Sequence, residues 1–153
     1  MSERWAPRVT VAVIVERAGD FLMVEEVIDG KTVLNQPAGH LDSGESLIEA
    51  ATREVYEETR WKVEVRHWIG VHRWSNTRSK RTWLRFIFSA DALEEEPGPL
   101  DPPVLAARWM SRAQLQAERG RYRSPLVTAA FEAYDEGHRL PLSALRDLFS
   151  EPR

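Results

Sequence analysis

Gly39-His40-Leu41-Asp42-Ser43-Gly44-Glu45, then Ser46-Leu47-Ile48-Glu49-Ala50-Ala51-Thr52, then Arg53-Glu54-Val55-Tyr56-Glu57-Glu58-Thr59, is the stretch that decides the fold. From Ser46 onward it has helical periodicity. Ser46, with Glu49 three residues later, makes a capping box that starts a helix over 46–59. On a wheel of about 100° per residue, Leu47, Ala51 and Val55 mark an apolar stripe, with Ile48 and Ala50 near its edges. Glu54 and Glu58 fall inside or beside that stripe. Glu57 lies about 60° from Glu54, so three carboxylates span an arc of roughly 100°. Glu49 points well away, toward solvent, and Glu45 stands just before the helix at its positive end.

An ordinary surface helix keeps its acids opposite the core stripe. Salt-bridged, Glu-rich surface helices are common, and three glutamates alone fit that description; the inward placement weakens it. Like charges this close raise one another's pKa unless a cation neutralises them. Clustered carboxylate oxygens suit Mg²⁺, with Mn²⁺ as the alternative ion. Arg53, beside Glu54 and one turn before Glu57, can orient a carboxylate but cannot replace a divalent ion.

Outward from this helix the pattern is mixed. Arg8 to Val15 is apolar and β-branched and reads as a strand, with Phe21 to Glu26 as its hairpin partner across Ala18-Gly19-Asp20. Asp29-Gly30 is the next turn signal. Thr32 to Gln36 reads as a short strand ending at Pro37. Lys62 to Trp74 and Arg81 to Ala90 read as two long strands, the second alternating Thr82, Leu84, Phe86 and Phe88 with Trp83, Arg85 and Ile87. Asp91 to Asp101, with five acids and no base, reads as a loop that pairs with the basic hairpin before it or lies in solvent. Val104 to Trp109 is a further strand. Ser111 with Gln114 opens a short helix, and Ser124 with Pro125 opens another that ends near Gly137. A last short helix is expected over Leu142 to Phe149. The fold class is α/β with a mixed sheet sandwiched between helices.

The chain has 153 residues, which fits one domain over 1–153 able to bury a substantial core. It has no Cys, which excludes disulfides and thiolate chemistry and suits a reducing compartment. Met1 to Arg8 holds no apolar run, so no secretory leader is expected. No stretch approaches a membrane span. The formal charge of −3 gives no support to a general nucleic-acid binder. A cytoplasmic protein, monomer or homodimer, is the expectation.

The run from Gly39 through Glu45, then seven residues, then Arg53-Glu54-Val55-Tyr56-Glu57-Glu58, resembles the signature box of the Nudix hydrolases. That box is Gly, five residues, Glu, seven residues, Arg-Glu, an aliphatic, any residue, Glu-Glu, any residue, Gly, an aliphatic. Six fixed residue types and the aliphatic Val55 match over 39–61. The order of strands around the helix also looks like the Nudix fold. The end of the box departs from the pattern: Arg60 stands at the glycine and Trp61 at the aliphatic. The family glycine serves as a left-handed helix terminator. An arginine forced to positive φ there costs on the order of 1 kcal/mol. Asn35-Gln36-Pro37-Ala38-Gly39-His40-Leu41, Leu84-Arg85-Phe86 and Arg123-Ser124-Pro125-Leu126-Val127 resemble one phosphatase branch of the family. That branch uses Mg²⁺ and acts on nucleoside di- and triphosphates and on the diphosphate of the thiamine pyrimidine precursor.

The resemblance implies that Glu54, Glu57 and Glu58 hold Mg²⁺, joined by a backbone carbonyl near Ala38 and Gly39. It implies that Arg53 orients a metal-binding glutamate, that Glu45 supports the loop–helix junction, and that a glutamate, Glu54 first, deprotonates the attacking water. Gly39 would let backbone approach metal or phosphate closely. His40 is a candidate phosphate contact, though a lone His beside a turn is more often polar filler. His67, His72 and His138 have no metal-ligand spacing. Arg73, Arg78, Lys80, Arg81 and Arg85 are interleaved with Trp74 and Trp83, a combination that can bind phosphates and stack a heterocycle. Arg85 and Trp83 share one strand face and are the better substrate candidates; Arg78 to Arg81 read as a solvated turn. A metal ligand from Glu94, Glu95 or Glu96 is a further candidate. Trp68, Trp109 and Phe131 read as core. The expected activity is release of a terminal phosphate. The alternatives are internal cleavage of ADP-ribose or dinucleotides, cleavage of RNA 5′ ends, and a Nudix-fold binding module.

Overall fold

The computed structural model describes residues 2–150; Met1, first residue of the N-terminal stretch considered above, and 151–153 lie outside the described residues. The elements in chain order are β1 (Arg8–Arg17), β2 (Asp20–Ile28), β3 (Lys31–Asn35), β4 (Ala38–His40), α1 (Leu47–Thr59), β5 (Trp61–Asn76), β6 (Arg81–Glu95), β7 (Val104–Ser111), α2 (Arg112–Ala117) and α3 (Pro125–Asp135). Single 3₁₀ turns cover Arg119–Arg121 and Leu142–Ala144.

The strands lie in the order β3-β2-β1-β6-β5, with β4 added to β1 and β7 to β2. β1 and β6 run parallel and the other pairs antiparallel, so the sheet is mixed as expected. Both tight hairpins, Ala18-Gly19 and Asp29-Gly30, put two successive residues at positive φ, the twist that two-residue loops require. Alternation along the central strands divides the core in two. Val11, Val13, Val15, Leu22 and Phe88 face α1 and pack on its Ala50, Ala51 and Val55. Ile14, Phe21, Met23 and Ile87 face the other way, onto Leu115 of α2 and Val127, Ala130 and Ala133 of α3. Trp68 and Trp109 pack against the first cluster and Phe131 against the second, as core residues do.

Three readings need correction. β6 runs on to Glu95 instead of ending at Ala90. Asp91 and Glu94 are strand residues with cross-strand cations, Asp91 meeting Arg66 at 2.7 Å and Glu94 meeting Lys62 at 3.4 Å; Glu96, just past the strand, meets Lys62 at 2.7 Å. The acidic segment therefore pairs with the start of β5 and not with the basic hairpin tip. Glu94, Glu95 and Glu96, offered as further metal ligands, do not line the cleft beside α1. The helix expected over Leu142 to Phe149 is only the turn Leu142–Ala144. So short a helix is not stable by itself, and the segment is fixed otherwise: Leu140 bridges Trp68 by two backbone bonds, and Asp147 accepts from the Leu47 N–H at 3.2 Å. The strand β4 was not foreseen; it is three residues long and follows Pro37.

Candidate functional site

Helix α1 begins as its sequence requires. Ser46 Oγ accepts from the Glu49 N–H at 3.1 Å, and Glu49 accepts from the Ser46 N–H at 3.4 Å. The helix ends on Arg60, which takes the left-handed conformation with φ 64 and ψ 11. The apolar stripe seats the helix on the sheet, and that seating turns Glu58 inward until it is 7% exposed.

β4 supplies the facing wall. Its ladder with β1 uses Pro37, Gly39 and Leu41: the Val13 N–H donates to Pro37 O and the Leu41 N–H to Val9 O. The intervening residues, Ala38 and His40, turn their backbone groups away from β1 and toward α1. Accordingly the Ala38 N–H donates to Glu58 Oε1 at 2.7 Å, and His40 O accepts from Arg53 at 3.0 Å. Gly39 lies between them. A Cβ built there would stand 2.2 Å from the Glu54 carboxyl carbon, so only glycine leaves the Glu54 carboxylate its present place.

Arg53 organises the loop and two of the acids. It grips Glu45 with two bonds, at 2.7 and 2.9 Å, and donates to Glu54 at 2.9 Å and Glu57 at 3.1 Å. Glu45 in turn accepts from the Asp42 N–H at 2.7 Å, which closes the loop on the helix. The Arg53 guanidinium holds the Glu45 carboxyl below the usual carboxylate range, against the opposing effect of burial. Burial raises Glu54 despite Arg53 beside it. Glu58 is pushed up to about 9, chiefly by burial and then by the Glu26 and Glu54 carboxylates, with the Ala38 N–H opposing.

A cleft of about 560 Å³ opens beside these acids. Ala38, Gly39, His40, Glu54 and Glu58 line one side of the chemistry, and Trp83 and Arg85 of β6 line it too. Arg85 is 6% exposed and its two terminal nitrogens donate to Gln36 Oε1 and Asn35 Oδ1, both at 3.3 Å. These partners are neutral, and Arg85 Nε is buried with none. Burial, and then Arg123, lower Arg85 to about 10. Trp83 stacks on Trp74 with centroids 5.1 Å apart and planes at 20°. Trp74, Ser79 and Arg81 also reach the cleft, so part of the expected solvated turn belongs to its wall. Arg53, Glu45 and Glu57 do not line the cleft; Glu57 points to Arg53.

Sequence reasoning missed Glu26. It is 2% exposed, lines the cleft, and accepts from Arg123 at 2.7 Å. The signal was present: Leu22, Val24 and Glu26 share one face of β2 by alternation, which puts an acid at an inward position.

The donor chemistry at this wall suits a hard divalent cation: Glu54 and Glu58 in the cleft, Glu57 beside them on Arg53, the adjoining Glu26, and the Ala38 carbonyl turned to the same side. Among the described residues no group of three or more His, Cys, Asp or Glu is arranged to hold one. Arg53 occupies Glu54 and Glu57, and the Ala38 N–H occupies Glu58.

A mixed sheet between helices, with a Gly-x₅-Glu-x₇-Arg-Glu loop–helix at a cleft, defines a class. Residues 6–131 match the family model of the NUDIX domain, and the chain belongs to the Nudix hydrolases, enzymes that act on diphosphate bonds. It is 41% identical over 142 residues to phosphatase NudJ of Escherichia coli K12, covering 92% of each chain. Among solved structures it resembles a NUDIX hydrolase from Nitrosomonas europaea, with a TM-score of 0.90, 39% identity, and coverage of 94% of this chain and 98% of that one. A MutT NUDIX hydrolase from Burkholderia pseudomallei shares the fold at a TM-score of 0.66 and 21% identity, over 87% of this chain and 99% of that one. No helix among the described residues is long and apolar enough to cross a membrane.

Proposed function

We propose that this chain acts in the cytoplasm as a Mg²⁺-dependent phosphohydrolase. Its substrates are nucleoside di- or triphosphates, or a pyrimidine diphosphate of the thiamine-precursor type, from which it releases the terminal phosphate. The observation that carries this reading is the opposition, within one cleft, of the carboxylates Glu54 and Glu58 to the buried guanidinium Arg85. A buried cation with only neutral partners gains most from an anionic ligand. The likeness to phosphatase NudJ supports terminal cleavage.

Glu54, Glu57, Glu58 and the Ala38 carbonyl would hold Mg²⁺, or Mn²⁺ in its place. The bound ion would supply charge neutralisation at the diphosphate oxygens and at the departing phosphate. Arg53 keeps Glu54 and Glu57 on one guanidinium and so presents both in fixed orientation. Glu54 is the first candidate to take the proton of the attacking water: burial raises its pKa, which strengthens a carboxylate as a base. Arg85 faces the substrate phosphates and Trp83 its heterocycle, with Gly39 and His40 at the loop edge.

The test is hydrolysis by purified protein with Mg²⁺ across a nucleotide panel, with product identification. Orthophosphate is expected; two phosphorylated products would instead establish internal cleavage. Glu58→Gln should abolish turnover, and activity that survives it would sink the metal assignment.

A further inference from the structure

Arg60 stands where the Nudix box has glycine, and the chemistry of the cleft does not account for it. Its backbone takes the left-handed conformation that a glycine adopts without strain. What the arginine adds is a side chain, and that side chain contacts Tyr56, Glu96 and Pro97, while its buried Nε has no hydrogen-bond partner. The guanidinium carbon lies 4.3 Å from the Tyr56 ring centroid. One terminal nitrogen donates to Pro97 O at 3.2 Å and stands 3.8 Å from the Glu96 carboxylate. The Tyr56 hydroxyl donates to the same carboxylate at 2.5 Å, and Lys62 meets its other oxygen at 2.7 Å.

Backbone bonds run beside these contacts. The Glu96 N–H donates to Arg60 O at 2.9 Å, and the Asp101 N–H to Glu57 O at 3.0 Å. The segment from Glu96 to Asp101 is thus strapped along the C-terminal end of α1, the helix that bears the carboxylates. It leads directly into Pro102 and Pro103, both of which line the cleft. Gly98 completes the fit. Its φ of 147 suits glycine, and a Cβ there would lie 2.9 Å from Arg60 Nε.

We infer that Arg60 is a positioning residue. Its side chain fastens residues 96–101 to the end of α1 and thereby fixes where Pro102 and Pro103 close the cleft around the substrate. Glycine at 60 keeps the helix end and both backbone bonds but loses the ring stack, the bond to Pro97 and the Glu96 pair. The inference rests on the proposed hydrolysis only for its kinetic consequence, not for the strap itself.

The experiment is Arg60→Gly in the full chain, read by melting temperature, by amide exchange at Glu96 and Asp101, and by KM and kcat on a nucleoside diphosphate. The variant removes backbone strain, so its melting temperature is expected to hold or rise. Exchange at the two amides should quicken at least tenfold, KM should rise severalfold, and kcat should stay within twofold. Arg60→Lys, which restores charge but not the flat fork or the stack, should recover less than half of the KM effect. Unchanged exchange with unchanged KM would overturn the inference. So would a fall in melting temperature with KM and kcat worsened together, which marks a merely structural role. If the wild-type protein hydrolyses no nucleotide, the proposed function fails, and amide exchange alone still decides for or against the strap.

Discussion

Gly39 and the Glu54 carboxylate occupy adjoining space so tightly that a Cβ on Gly39 would lie 2.2 Å from both the carboxyl carbon and Oε1 of Glu54. The glycine is therefore a spatial requirement of the acid opposite it. The atoms that would clash are the far end of a flexible side chain. Gly39→Ala should consequently leave the fold intact, with a stability change within about 1 kcal/mol, while it drives the carboxylate out of place. Misplacement by about 1 Å in a reacting constellation costs on the order of 10²-fold. Steady-state kinetics beside a thermal melt will check this; wild-type kcat in the alanine variant would show that Glu54 has no need of its present position.

How much of this was legible in the sequence depends on the range of the interaction. The inward placement of Glu54 and Glu58 follows from helical period alone, and so does the capping box at Ser46. The two hairpins follow from local turn chemistry. Arg53 was read as able to orient one carboxylate, but its grip on Glu45, eight residues away, needs the loop to fold back over the helix. The extension of β6 to Glu95 was hidden because its partners are charged: alternation of apolar residues fails as a signal where cross-strand ion pairs replace it. The inward position of Glu26 is signalled by alternation along β2, but its partner is not. Glu26 sits 97 residues from Arg123 in sequence, and nothing local announces an ion pair at that separation.

Glu58 makes stability depend on pH in a definite direction. Its carboxyl is pushed from an ordinary 4.5 up to about 9. Between those values the folded chain holds a proton that the unfolded chain has released, so the folded state binds more protons and stability falls as pH rises. Glu58→Gln removes the titration. The melting temperature of the metal-free wild type, taken relative to this variant, should thus decline from about pH 5 to about pH 9. A divalent ion competes with the proton for the same oxygens, so the increment from added Mg²⁺ should grow over that window. A wild-type minus variant difference that is flat with pH would remove Glu58 as its source.

The Glu26–Arg123 pair gives a prediction about coupling. Glu26 is 2% exposed and Arg123 is its cation, at 2.7 Å. Arg123→Ala strands a buried carboxylate beside Glu58, and loss of a partner to a buried charged group costs roughly 1–3 kcal/mol. The lower half of that range applies here, because the Arg123 side chain is 44% exposed and solvent replaces part of the lost interaction. Glu26→Gln leaves no charge to strand, so adding it to Arg123→Ala should restore part of the loss. Chemical denaturation of the two single variants and the double variant measures this directly. Strictly additive effects would mean that the two side chains do not act as a pair.

Trp83 and Trp74 form a stacked pair on the cleft wall, with ring centroids 5.1 Å apart. A flat wall of this kind takes a heterocycle by stacking, and base–aromatic stacking is worth about 1–3 kcal/mol per base by alanine substitution. At about 1.4 kcal/mol per tenfold, Trp83→Ala should weaken binding of a nucleoside monophosphate product by roughly 5- to 150-fold. Orthophosphate has no ring, and its binding would depend instead on Arg85 and on the divalent ion that the carboxylates would hold. Its inhibition constant should therefore change by less than twofold in the same variant. Measuring both inhibition constants in one preparation separates the wall from the cleft floor. Equal losses for the two inhibitors would mean that Trp83 shapes the whole cleft and does not select the ring.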